Sequence, residues 1–391
     1  MNQVLIYESL LEVSLLVMLA EALNALITRY GYPRIVSEIL IGLLLGPYSL
    51  GGLLNSLFHV TLFTINDYIL FLASFSIMLL LFASGLEHGI STLRQGGVYG
   101  VLAAVFGAVV PYALVYFLLS ILGFNTLTAI YMALSTAPTS LAVVAGIIER
   151  EGLQGLPSTR VLITAASIDD VVTLIMLSII PTLNSPSAST VIYDVLRIVT
   201  LWFLFLALSL AIIPRLMNMV SEGLVVYTSL VVLFGLVLAM AVMGFSEVIA
   251  SFIAGLAVAE SKYSGRVREF VDILIAIFGS IFFITIGLET KVTSFLNPSI
   301  LITAALVSLT ALIAKLIGVY PFAYLKLRST KQALDASLGM IPRGEMGLVV
   351  ASLGLSLGVL TDYELGIVVF MVLFTTIVGA ILYKRSVLRG G

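Results

Sequence analysis

Apolar runs of roughly 20 residues recur along almost the whole of this 391-residue chain, and no other feature restricts its folding so far. A hydrocarbon core ~30 Å thick offers backbone amides no water, so only helices and closed barrels cross it. A crossing helix needs about 20 residues and a barrel strand only about 10. These runs therefore predict helices. Hydropathy and length place thirteen of them, at Glu8–Arg29, Pro33–Gly52, Asp67–Leu86, Gly97–Leu122, Asn125–Ile148, Ser158–Ile180 and Ser189–Pro214 in the first part. Glu222–Met243, Ser246–Ala259, Val267–Leu288, Pro298–Tyr324, Lys331–Val359 and Asp362–Lys384 complete the set, with Gly244 marking a tight turn between the eighth and ninth. The predicted class is an all-α polytopic membrane protein with 13 transmembrane helices.

Composition supports this. The chain is 60% hydrophobic and 10% charged, against about 25% charged in a soluble domain, which leaves little room for an extramembrane domain. A net charge of −2 argues against a nucleic-acid partner. With no cysteine, and only His59 and His88 as histidines, thiolate metal sites, His-based metal sites and catalytic triads are disfavoured. Met1-Asn2-Gln3 lacks a basic n-region, so the first run is expected to be a retained helix.

Charge then orients the helices. With the N-terminus outside, 15 of the 19 Lys and Arg residues fall on the cytoplasmic side, from Arg29, Arg34, Arg94 and Arg150 to Lys384, Arg385 and Arg389. Arg197 and Lys291 lie outside, while Lys315 and Arg343 lie within spans. This asymmetry predicts N-out, C-in.

The halves echo one another. Ser37-Glu38-Ile39-Leu40-Ile41-Gly42-Leu43 resembles Ser246-Glu247-Val248 with Ile253-Ala254-Gly255-Leu256; Gly85-Leu86-Glu87 recurs as Gly287-Leu288-Glu289, and mid-span Pro138 as Pro342. The offset is seven spans, an odd number, so the second copy is inverted and the seventh span connects the two. Two inverted repeats with discontinuous helices at spans 5 and 12 follow.

Asp169 and Asp170 stand near the middle of the sixth span. Each costs roughly 2.5–3.5 kcal/mol there on insertion scales, so a proton, a cation or a basic partner must neutralise them. Lys315, past the middle of the eleventh span, is either such a partner or a side chain snorkelling to the interface. Neighbours on a helix point ~100° apart, so the two aspartates cannot face one lysine equally.

Spans 5 and 12 carry the other polar interruptions. Pro138 and Pro342 lack an N–H and free backbone carbonyls, which in lipid persist only when buried or lining a cavity. Ser135, Thr136, Thr139 and Ser140 add hydroxyl oxygens for a cation, unless they bond back to their own turn. Arg343 and Glu345 read as a structural ion pair at the second break, and Arg is a poor proton carrier because it does not deprotonate. Glu12, Glu21, Glu38 and Glu247 carry less weight, as interfacial or structural acids.

Pro33-Arg34-Ile35-Val36-Ser37-Glu38, Gly46-Pro47, Leu81-Phe82-Ala83-Ser84-Gly85-Leu86-Glu87, Asp169-Asp170, Phe282-Phe283-Ile284-Thr285-Ile286-Gly287-Leu288, Lys315 and Arg343-Gly344-Glu345 occur in that order. In this set the chain resembles the monovalent cation:proton antiporter-2 family, close to the bacterial and archaeal sodium/proton antiporters. The resemblance implies a homodimer in the cell membrane. It also implies a scaffold of residues 1–96 and 222–297, a transport core of residues 97–181 and 298–391, and a linker helix within 182–221. Spans 5 and 12 would cross beside Asp170, Asp170 would carry the ion, and Asp169 would pair with Lys315. An aspartate pair, with no nucleotide-binding domain after the last span, implies electrogenic exchange of protons for Na⁺ or Li⁺, without a cofactor. Some relatives have an acidic residue where this chain has Ala137, so ion coordination at span 5 does not carry over directly.

Two carboxylates do not themselves select sodium, so potassium/proton exchange and elevator transport of a small organic anion stand as alternatives. An intramembrane aspartyl protease needs a dyad sharing a proton across facing helices, which adjacent residues on one helix do not provide. The expected protein is a secondary active transporter, not an enzyme.

Overall fold

A computed structural model describes residues 3–30, 32–88, 97–180 and 188–388. Arg94 and Arg389 of the charge asymmetry, and residues 182–187 ahead of the expected linker helix, lie outside these. The described residues form helices and short 3-10 turns, with no strand. The helices are α1 (Gln3–Ile27), α2 (Arg34–Leu45), α3 (Leu50–Phe58), α4 (Asp67–His88), α5 (Gly97–Ile121), α6 (Thr126–Leu134), α7 (Leu141–Arg150) and α8 (Pro157–Ile179). They continue with α9 (Ala188–Met219), α10 (Val225–Val242), α11 (Glu247–Ala259), α12 (Ser264–Glu289), α13 (Pro298–Leu327), α14 (Thr330–Gly339), α15 (Glu345–Ser356) and α16 (Asp362–Leu388).

Local chemistry sets many of the ends. The Asn125 side chain accepts the Leu127 N–H at 3.0 Å to start α6, and Asn297 accepts the Ser299 N–H at 3.0 Å ahead of α13. Each satisfies one of the orphan donors of a first turn. Gly123 and Gly244 follow α5 and α10 at φ 83° and 84°, where a Cβ would be strained. Gly244 thus makes the tight turn expected before the ninth span.

Nine helices are long and apolar enough to cross a membrane among the described residues: α1, α4, α5, α8, α9, α10, α12, α13 and α16. The expected second span is a pair, α2 and α3, bent by 40° after Gly46-Pro47 ends α2. The ninth is the 13-residue α11, about 20 Å long. The fifth and twelfth are each two short helices, of 9 and 10 residues and of 10 and 12 residues. No piece of these two spans, at ~1.5 Å per residue, covers a ~30 Å core alone. Length and composition alone therefore establish nine crossings among the described residues, or ten with the bent pair as one span, and do not by themselves reach thirteen.

The chain forms two compact units. The first comprises Met1–Ser74, Gln95–Asp170 and Ser280–Gly391. Its larger apolar core gathers Ala103 and Ala104 of α5, Leu162 and Ala165 of α8, Val319 of α13, Ala336 of α14 and Tyr383 of α16. A smaller one holds Leu16, Ile69, Ile284 and Leu288. The second unit comprises Phe75–Arg94 and Val171–Gly279, cored by Phe82, Met217, Leu233, Ala257 and Val271.

The four glycines of the echoed motifs make close helix contacts. Within the first unit, a Cβ on Gly42 would meet the Ile284 carbonyl oxygen at 2.1 Å and the Gly287 Cα at 2.8 Å. Within the second, a Cβ on Gly85 would meet the Phe252 carbonyl oxygen at 2.3 Å and the Gly255 Cα at 3.0 Å. Each contact joins a first-half helix to a second-half helix. Glycine lets the backbones approach where lipid supplies no hydrophobic drive between helices.

Candidate functional site

All the groups of the candidate site belong to the first unit. α8 carries Asp169, fully buried, and Asp170, 4% exposed. Lys315, on α13, is also fully buried. Its Nζ lies 2.8 Å from Asp169 Oδ2 and donates to the Ala137 carbonyl at 2.7 Å. That carbonyl is open to the lysine because the helix breaks around Pro138: α6 stops at Leu134 and α7 starts at Leu141. Asp170 is turned from Asp169 by ~100° about the helix axis, and the lysine ammonium stands in the field of both carboxylates and of Arg343.

Thr139 joins the two breaks. Its hydroxyl has Asp169 Oδ2 at 2.7 Å and the Met340 carbonyl at 3.1 Å as acceptors. One proton faces two oxygens, so a change of charge on Asp169 changes what Thr139 bonds. Met340 opens the second break, between α14 and α15. There four consecutive carbonyls all have donors. The Arg343 guanidinium donates to Met340 and Ile341 at 2.8 and 3.1 Å. The Ser140 N–H donates to Pro342 at 2.9 Å, and the Thr376 hydroxyl of α16 donates to Arg343. A buried unwound segment is tolerated only on such terms.

The expected residues are therefore placed differently from one another. Asp169, Lys315 and Thr139 are in direct contact. The hydroxyl protons of Ser135 and Thr136 go to their own turn, to Tyr131 and Ala133 carbonyls at 3.0 and 2.6 Å. Arg343, fully buried, directs its guanidinium to backbone carbonyls, with Ala311 of α13 the farthest at 3.5 Å. Glu345 accepts from Ser140 Oγ at 2.9 Å. Gly344 leaves room for that serine: a Cβ there would sit 2.5 Å from Ser140 Oγ. The residues sequence reasoning passed over are Ala137 and Met340, which act through backbone oxygens, and Thr376. The adjacent Thr375-Thr376 hydroxyls inside the last apolar span were the available signal.

Away from the site, Glu38 accepts from Arg34 Nε at 2.8 Å and from Ser280 at 2.6 Å, and Arg34 also pairs with Glu21. Glu12 accepts the Thr64 N–H at 3.1 Å. These acids are held by structural partners.

Two fully buried ionised groups in contact are expensive to desolvate and are often replaceable by apolar residues without loss of stability. Their presence beside two helix breaks points to cation and proton handling instead. The comparisons agree. The family described as "Sodium/hydrogen exchanger, transmembrane" matches residues 13–387. A Na⁺/H⁺ antiporter of Enterococcus hirae is 27% identical over 378 residues, covering 94% of this chain and 96% of that protein. The Na⁺/H⁺–K⁺ antiporter GerN of Bacillus cereus is 24% identical, covering 95% and 94%. The solved sodium proton antiporter MjNhaP1 of Methanocaldococcus jannaschii has the same fold, with a TM-score of 0.71 at 16% identity, covering 96% of each chain.

Proposed function

This chain belongs to the sodium/hydrogen exchanger family, and from that premise we propose that it exchanges Na⁺ or Li⁺ for protons, electrogenically and by an elevator-type movement. The observation that carries the reading is the fully buried Asp169–Lys315 pair, held between the two helix breaks by Ala137 and Thr139. Asp170 is the carrier carboxylate. When water reaches it from one side, it loses its proton and takes the cation. Lys315 then releases Asp169 and gives up a proton, so two protons leave as one cation enters. The empty core, with Asp170 ionised and carrying neither proton nor cation, is too costly to move through apolar surroundings, which prevents leak. One net charge per cycle is worth ~2.3 kcal/mol per 100 mV.

On this reading α2–α3, α6–α7, α11 and α14–α15 are the four further crossings, and the two breaks cross one another. Residues 1–96 and 222–297 form a static, dimer-forming scaffold in the cell membrane. Residues 97–181 and 298–391 form the moving core. The N-terminus is outside and the C-terminus cytoplasmic, from the distribution of Lys and Arg.

The test uses proteoliposomes holding a proton gradient reported by a pH-sensitive dye. Na⁺, Li⁺, K⁺ and choline are added in turn to wild type and to Asp170→Asn. Collapse by Na⁺ and Li⁺ in wild type only is expected. No response to any cation, from folded protein, refutes the exchange reading. A second reading, potassium/proton exchange, is favoured by the likeness to GerN, whose name includes K⁺; collapse by K⁺ would select it.

A further inference from the structure

Thr376 lies deep in α16, fully buried, far along the chain from every residue the sequence singles out for ion handling. A hydroxyl in a membrane helix ordinarily bonds back to its own preceding turn. Thr375 does so, donating to Met371 at 2.7 Å and reaching Val372 at 3.2 Å. Thr376 does not. Its hydroxyl leaves α16 and donates to the carbonyl of Arg343, in the 340–344 break. Three residues on, Gly379 lets the same face of α16 close on the break: a Cβ there would lie 2.8 Å from Ile341 Cγ2 and 2.9 Å from Pro342 Cδ.

That bond starts a short chain of contacts. Residue 343 is fixed through its carbonyl by Thr376, and its guanidinium holds the Met340 and Ile341 carbonyls. Met340 O is the second acceptor for the Thr139 hydroxyl, whose first is Asp169 Oδ2. The division of one proton between Asp169 and Met340 therefore depends on where the 340–344 segment stands.

We propose that Thr376 is a positioning residue of the ion site: its hydroxyl fixes the 340–344 segment against Thr139 and Asp169, and so sets the affinity of the site for its cation. This rests on the exchange reading above. Thr376 touches no ion and exchanges no proton. Removing its hydroxyl leaves the buried Arg343 carbonyl without that donor, and the segment shifts to recover a partner.

The experiment compares Thr376→Val, Thr376→Ser and Thr375→Val with wild type in proteoliposomes, measuring apparent KM for Na⁺ and maximal rate from pH 6.5 to 9. Thr376→Val is expected to raise KM ~5- to 10-fold, the scale of one lost hydrogen bond, with the maximal rate within about twofold. Thr376→Ser should restore the wild-type KM, and Thr375→Val should leave it unchanged. An unchanged KM in folded Thr376→Val overturns the proposal, as does an equal rise in Thr375→Val, which would mark general loosening of α16. If Thr376→Val does not fold, Thr376→Ala removes the hydroxyl with no bulk on Cγ. Failure of both to fold while Thr376→Ser folds would assign the hydroxyl to folding and also overturn it. A wild type that ignores Na⁺ would instead refute the exchange reading itself.

Discussion

Breaking the Asp169–Lys315 pair from either side should destabilise the protein by similar amounts, with opposite dependence on pH. Both groups are fully buried and 2.8 Å apart. In Lys315→Gln, Asp169 keeps Thr139 but loses the cation in contact with it; in Asp169→Asn, the lysine keeps the Ala137 carbonyl as hydrogen-bond acceptor but no carboxylate in contact with it. A lone buried charge neutralises itself rather than remain ionised. At pH 7, protonating an ordinary carboxyl costs about 4 kcal/mol and deprotonating an ordinary lysine about 5 kcal/mol, at about 1.4 kcal/mol per pKa unit. These bound the loss and agree with the ~3–5 kcal/mol typical of a broken buried pair. The signs then follow by linkage. In Lys315→Gln the native state holds a proton that the unfolded state has released, so stability falls as pH rises. In Asp169→Asn the unfolded lysine binds the extra proton, so stability rises with pH. The double variant, a neutral pair able to hydrogen-bond, should recover about 1–3 kcal/mol over the sum of the singles. Equilibrium unfolding in mixed micelles of rising SDS content, at pH 6 and pH 8.5, measures all three. Losses below about 1 kcal/mol in both singles, or slopes of the same sign, would refute the reasoning.

Three further expectations come from the same geometry. Thr139→Val should raise the apparent KM for Na⁺ about tenfold, whereas Ser135→Ala and Thr136→Val, whose hydroxyl protons stay within their own turn, should change it less than about twofold; transport kinetics decide. Gly42→Ala should destabilise by about 1–3 kcal/mol, because its Cβ meets the Ile284 carbonyl at 2.1 Å, while Gly235→Ala, with nothing within 4 Å, should be neutral or stabilising in SDS unfolding. Lys291 pairs with Asp362 at 2.6 Å, and on the proposed division these belong to scaffold and core. The chain has no cysteine, so cross-linking Lys291→Cys to Asp362→Cys with a short bis-methanethiosulfonate, which joins the two thiols through reducible disulfides, should stop exchange until a reductant is added; full activity of the cross-linked protein would refute the elevator. The hydrogen bond and charge of Asp362 raise the Lys291 ammonium above the ordinary lysine range, so this pair persists below that range and is lost only as pH climbs through the raised value. Lys291→Met should accordingly leave the pH profile between 7 and 9 unchanged.

Much of the site was legible because each part offends the apolar pattern around it. Two aspartates, one lysine and two mid-span prolines are visible against runs of Leu, Ile and Val. The helix breaks lie where Pro138 and Pro342 place them, and the motif glycines mark true backbone contacts. What sequence could not show is carried by atoms without a signature. The carbonyls of Ala137 and Met340 look like any others until the backbone is known to unwind. Thr375 and Thr376 are the same residue type one position apart, and only the neighbouring break makes one of them bond outward. The even run of thirteen spans also overstated regularity: hydropathy does not register that Gly46-Pro47 bends the second run or that the fifth and twelfth are half-length pieces.

The buried charges also suggest which leg of the exchange the membrane potential drives. Asp169, Asp170, Lys315 and Arg343 are fully or almost fully buried, and when all four are ionised their charges cancel. Glu345, only half-buried, stands outside this sum. Arg343 does not release its proton, so it is a constant, and the variables are the protons of the other three and the cation. On the exchange reading, the sodium-loaded core with Lys315 neutral has a sum of zero. The proton-loaded core, with Asp170 neutral and Lys315 charged, has a sum of plus one. The cation-loaded leg then meets little electrical barrier in either direction, and the proton-loaded leg moves one positive charge. An inside-negative potential pulls that leg inward, at ~2.3 kcal/mol per 100 mV, and so drives sodium outward. Without Arg343 the assignment would reverse: the sodium-loaded core would carry the charge, now negative, and the proton-loaded core would be neutral. The potential would still favour the same net exchange, but it would act on the other half of the cycle.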